Sequence, residues 1–90
     1  MPKYVIEREV EGAGQLSGAD LQGISVKSCD VLQQLGPTIQ WVESYVTGNK
    51  IFCVYIAPDE SLIEQHARMG EFPITAIHEV KNVIDPTTAE

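Results

Sequence analysis

Near the middle of the chain, two runs rich in β-branched and aromatic residues, Thr38 to Thr47 and Lys50 to Ala57, meet at Gly48-Asn49. A two-residue link of this kind is suited to a tight hairpin turn. The hairpin commits the chain to an antiparallel sheet. If Thr47 opposes Lys50, the register sets Val42 by Tyr55, Ser44 by Cys53 and Val46 by Ile51 on one face. The other face then carries Trp41 by Ile56, Glu43 by Val54 and Tyr45 by Phe52.

What flanks the hairpin supplies the rest of the core. Lys3 to Glu9 alternates, with Tyr4, Ile6 and Arg8 on one side, and is predicted to form a first strand. Gly12-Ala13-Gly14 breaks that pattern, and Ser17 with Asp20 three residues on has the form of a capping box opening a helix. Leu21, Ile24, Ser28, Val31, Leu32 and Leu35 recur at helical spacing until Gly36-Pro37 stops the run. After the hairpin, Pro58 suits the first turn of a second helix, with Asp59 and Glu60 complementing its dipole. Leu62, Ile63, His66 and Met69 lie on one side of it, and Gly70 ends it. Thr75 to Ile84 reads as a fourth strand, and residues 85–90 as a tail.

The order β-α-β-β-α-β over one domain, residues 1–90, is the split βαβ arrangement. The expected class is α+β: a ferredoxin-like sandwich in which both helices cover one face of an antiparallel sheet. Helices over the Trp41 and Phe52 side leave open the face bearing Val42, Ser44, Val46, Ile51, Cys53 and Tyr55. An exposed apolar face of that size calls for a partner, and the expectation is a homodimer through the open sheet face.

Composition narrows the function classes. With 43% hydrophobic and 21% charged residues, the chain lies in the folding regime. Six Lys and Arg against 13 Asp and Glu give a net charge of −7, which repels phosphate backbones and anionic membrane surfaces. No nucleic acid and no membrane is therefore expected as a partner, whereas cations are favoured. No apolar run approaches the ~20 residues of a span, and no signal-peptide core follows Met1-Pro2-Lys3, so the cytoplasm is the expected compartment. Cys29 and Cys53 are then expected as free thiols.

The segment from Gly12 to Gly18 invites comparison with a dinucleotide-binding G-x-G-x-x-G, but its third glycine falls one position late and no parallel-sheet pattern surrounds it; a plain loop is expected. Cys29, Cys53, His66 and His78 lack the paired spacing of a structural metal site. Convergence in space is the remaining route: His66 on the inner side of the second helix, Cys29 flanking the stripe of the first, and Glu43 on an otherwise apolar strand face. A carboxylate among Trp41, Val54 and Phe52 needs a cation or donor beside it, unless that face is not the inner one. His66 has two readings, a core histidine or a ligand and acid-base group.

The stretches Lys27-Ser28-Cys29, Ile39 through Thr47, Cys53 through Glu60, and His66-Ala67-Arg68 through Phe72-Pro73 resemble a family of small bacterial nickel-binding proteins. The resemblance spans nearly the whole chain. It implies a ferredoxin-like dimer and a role in nickel binding, sequestration or detoxification. The candidate metal ligands for a nickel ion are His66 first, with Cys29, Glu43 and His78, side chains whose chemistry suits nickel. The alternative is a small-molecule-binding protein or enzyme with a pocket between helices and sheet, His66 serving as acid-base, Glu43 as its partner, and Trp41, Tyr45 and Tyr55 as walls. A structural module that only dimerises is a third reading.

Overall fold

The computed structural model describes residues 1–90. Four strands and two long helices follow in the order β1 (Lys3–Glu9), α1 (Gly18–Leu35), β2 (Gln40–Val46), β3 (Lys50–Ile56), α2 (Glu60–Gly70) and β4 (Ala76–Glu79). The sheet order is β2-β3-β1-β4, antiparallel throughout, so the fold is the expected α+β ferredoxin-like one. Single 3₁₀ turns at Ala13–Gln15 and Pro86–Ala89 complete it.

Local chemistry explains the element ends. Ser17 Oγ accepts from the Asp20 backbone N–H while Asp20 accepts from that of Ser17, so the capping box forms as read. The second helix is capped by Asp59, whose Oδ1 accepts from Leu62 N at 3.1 Å, and Pro58 therefore lies just ahead of the helix. Its inner side is Ile63, His66, Ala67 and Gly70; Met69, expected inside, is 40% exposed. The fourth strand is shorter than its apolar run. Its last backbone bond is Val80 N to Lys3 O, the point where β1 begins, and beyond it Val83 and Ile84 are exposed.

The glycine loop after β1 grips the hairpin turn. Gly14 donates to Gly48 O at 3.0 Å and Gly12 to Asn49 Oδ1 at 3.0 Å. A Cβ on Gly14 would stand 3.2 Å from Gly48 Cα and 3.2 Å from Thr47 O, so glycine there permits backbone to meet backbone. The G-x-G element is thus a latch within the fold.

The hairpin turns where expected, with Thr47 N donating to Lys50 O at 2.8 Å, but its faces are the reverse of the sequence reading. Helices cover the side bearing Tyr4, Ile6 and Arg8 of β1 with Ile51, Cys53 and Tyr55 of β3, all buried. One residue departs from that reversal, Trp41, which joins the covered side through a β-bulge between Trp41 and Glu43. Ser44 still pairs with Cys53, Tyr45 with Phe52 and Val46 with Ile51, but Trp41 pairs with Tyr55 and Gln40 with Ile56. Strict alternation puts Trp41 and Glu43 on one side; the extra residue lets Trp41 pack against the core while Glu43 points away from it. The open face therefore carries Val5, Glu7, Phe52, Val54, Ile56 and Tyr45, not the Ser44, Ile51, Cys53 and Tyr55 set.

Candidate functional site

The candidate residues separate onto three surfaces. His66 is 0% exposed, between α1, α2 and the sheet. Its Nε2 is 3.0 Å from Ser28 Oγ on α1, and its Nδ1 has no partner. The Tyr55 ring lies 5.2 Å away on one side and the Phe72 ring stacks at 5.5 Å on the other. Phe72 reaches that position by lying on Gly70, where a Cβ would come within 2.3 Å of its ring. Burial, with the Arg8 guanidinium second, pushes the imidazole down to about 4, so it is neutral at neutral pH.

Cys29 is exposed on α1, one residue past Ser28 and turned outward. Glu43 is exposed beyond the bulge, where it accepts a hydrogen bond from the Tyr45 hydroxyl that holds the phenol above its ordinary pKa. His66, Cys29 and Glu43 therefore do not converge. Both cysteines are free thiols, as expected, and Cys53 is buried. No three His, Cys, Asp or Glu side chains group as a metal cage.

His78 does have a carboxylate beside it. On the open face its Nε2 is 3.6 Å from Glu7 Oε1, while Lys50 Nζ holds Glu7 Oε2 at 2.8 Å. The Lys50 hydrogen bond is the main force keeping the Glu7 carboxyl below its ordinary pKa, and His78 adds to it. Glu7 was not singled out in the sequence. The signal was its place in the β1 alternation, opposite in phase to Tyr4 and Ile6; it pairs directly with Phe52 on the hairpin face that proved to be open.

The covered side also holds a pocket that none of His66, Cys29, Glu43 and His78 lines. A cavity of about 300 Å³ lies between the first half of α1 and strands β2 and β3, walled chiefly by Leu21, Ile24, Trp41, Val46, Ile51 and Phe72. Arg8, Ser25, Ser28, Ser44 and Tyr55 bring polar groups to it. Arg8 is 3% exposed. Its Nη1 donates to Pro73 O at 2.7 Å and its Nε to Cys53 Sγ at 3.4 Å, while Nη2 has no partner. Sequence reading placed Arg8 in phase with Tyr4 and Ile6 but drew nothing from it; a charge in step with a buried apolar face was the available signal.

The fold is similar to that of SCO4226 from Streptomyces coelicolor A3(2), known from a crystal structure, with a TM-score of 0.77 at 12% identity over 91% of this chain and 99% of that one. At that identity the likeness bears on the fold alone. No curated protein sequence matches the chain significantly. No helix is long and apolar enough to cross a membrane. Residues 4–80 match the family described as nickel responsive protein SCO4226-like, and a match over that much of the length means that the chain belongs to this family.

Proposed function

We propose that this chain is a non-enzymatic nickel-binding protein that takes the ion on its open sheet face through His78 and Glu7, and that a second copy packs on the same face. The observation that carries this reading is the 3.6 Å approach of His78 Nε2 to Glu7 Oε1 on the side the helices leave bare. Donors each about 2.0–2.2 Å from a first-row divalent ion, at angles between octahedral and tetrahedral, stand roughly 3–3.6 Å apart. Imidazole and carboxylate both suit nickel. The family description adds the metal. His66 fits less well, since it is enclosed and no second ligand accompanies it.

A second copy supports the site in two ways. Half-buried Val5, Phe52, Val54 and Ile56 form an apolar strip across β1 and β3, with Lys3 and Lys50 as well as Glu7 and Glu43 around it. Both signs on one patch make it self-complementary under a two-fold axis. An axis passing beside the His78–Glu7 pair would double the donors from two to four and close a site that one chain leaves half built. A protein of this kind would hold nickel in sequestration or detoxification, and its free thiols suit the cytoplasm.

Calorimetric titration of tag-free protein with Ni²⁺, run beside sedimentation, tests the reading. Stoichiometric heat that disappears in His78→Ala and persists in His66→Gln is expected, with a dimer that Val54→Asp disrupts. Heat unchanged in His78→Ala, or none tighter than the millimolar range in wild type, contradicts it.

A further inference from the structure

We propose that the cavity between α1 and strands β2 and β3 is a binding site for a small, apolar monocarboxylate, with the Arg8 guanidinium receiving its carboxylate. Two observations point to this independently of one another: a half-open apolar pocket of about 300 Å³, and a buried cation without a counter-ion at its edge.

Arg8 makes no ion pair with any of the chain's 13 acidic residues. Taking a guanidinium out of water is costly unless an anion and hydrogen bonds replace the lost hydration. Arg8 has a carbonyl on Nη1, a thiol sulfur on Nε, the Phe72 ring 5.6 Å from Cζ, and nothing on Nη2. The protein supplies no negative charge here, so the missing anion comes from outside. Arginine is well suited to that role, since its charge persists at any physiological pH and its planar donors match a carboxylate.

The surroundings select the class of anion. No lysine and no second arginine lines the cavity, so one positive charge is available, and a phosphate dianion would be left largely uncompensated. Nine of the 14 lining residues are hydrophobic, which calls for an apolar body behind the charged head. Hydroxyls are at hand for the second carboxylate oxygen. Ser44 Oγ accepts from Trp41 Nε1 at 2.9 Å and keeps its own proton to donate, and Tyr55 also borders the space. Ser25 is less suited, because its hydroxyl is already donated to Leu21 O at 2.9 Å. The volume falls at the small end of ligand sites, which run from about 300 to 1,000 Å³.

This site lies on the opposite side of the sheet from His78 and Glu7, so it does not depend on nickel binding. Trp41, the chain's single tryptophan, is part of the wall and reports occupancy by its fluorescence. Phenylacetate is the probe, with phenylacetamide as its neutral isostere and inorganic phosphate as a bare anion. Saturable change with phenylacetate is expected, with the amide weaker by about tenfold or more, as suits a charge-assisted contact. Arg8→Met should abolish the preference for acid over amide while the protein stays folded by circular dichroism. Ser25→Phe, which leaves Arg8 intact and fills the cavity from α1, should abolish binding of both as read by calorimetry. No saturable response to phenylacetate in the millimolar range, equal affinity for the amide, or phosphate binding as tightly as phenylacetate would each overturn the proposal.

Discussion

The two faces of the sheet hold one histidine each, and the two are placed in opposite ways. His66 is sealed between Tyr55 and Phe72 with one nitrogen satisfied by Ser28, whereas His78 is 60% exposed beside Glu7. The covered face has bought a tight interior around groups that are hard to bury, His66 and Arg8, and leaves a cavity beside them. The open face has apolar residues between ions of both signs, and its polar groups remain reachable. An inward position makes a histidine a poor recruit for a metal unless other ligands are buried with it. An outward one beside a carboxylate needs only further donors.

The largest expected effect separates the faces by packing. Ile6→Ala, on the covered side at 0% exposure, should destabilise by about 2–5 kcal/mol in a denaturant titration, the usual range for truncating a buried isoleucine. Val5→Ala, its half-buried neighbour on the other side, should cost less in the monomer and, for the dimer proposed above, show its effect in the dissociation constant instead. Equal losses in unfolding and no change in association would erase the distinction.

Next comes the pH dependence of stability. The folded-state pKa of His66 is about 4 against an ordinary 6.5, so between those values the unfolded chain binds the extra proton. Stability should therefore be complete above about pH 6.5 and fall as pH drops toward 4, by about 3 kcal/mol from this residue. Glu7, Asp20 and Asp59 have lowered pKa values, and their contributions are lost further down, below the ordinary carboxylate range. The window from 4 to 6.5 is thus mainly that of His66, and His66→Gln should flatten it. An unchanged slope in that variant would place the titrating group elsewhere.

Arg8→Met comes third. A buried charge without an anion contributes little net stability, so an apolar chain of similar length should leave unfolding free energy equal or higher by about 1 kcal/mol. A loss of several kcal/mol would mean that the Pro73 contact alone justifies the charge. The smallest change in stability is expected for Lys50→Met on the open face, since its pairs with Glu7 and Glu9 are solvent-screened. Its value lies in the metal: freeing Glu7 from Lys50 should tighten nickel binding, and weaker binding would count against Glu7 as a ligand.

The elements were largely legible because each was marked locally. The Ser17 and Asp20 box, the Gly48-Asn49 turn and the Gly36 stop act within a few residues of themselves, and each is where the pattern places it. The face assignment was not, because both hairpin faces are apolar and the bulge at Trp41–Glu43 takes Trp41 out of phase with Glu43 and Tyr45, so the tryptophan marks the wrong face. The awkward neighbours were themselves the clue: an apolar tryptophan and a carboxylate two positions apart cannot both be well served on one face. For the site, the separation of Cys29, Glu43 and His66 depended on that same face and on the rotation of α1, neither of which spacing reveals. The Arg8 cavity requires the helix to stand off the sheet near Leu21 and Ile24, which depends on tertiary packing alone.

Diffraction from a nickel-soaked crystal, with anomalous differences recorded at the nickel absorption edge, tests the contrast between the faces most directly. The expected result is a peak within coordinating distance of His78 Nε2 and Glu7 on the open face, and none beside His66. A peak at His66 between α1 and α2, with His78 bare, would contradict it.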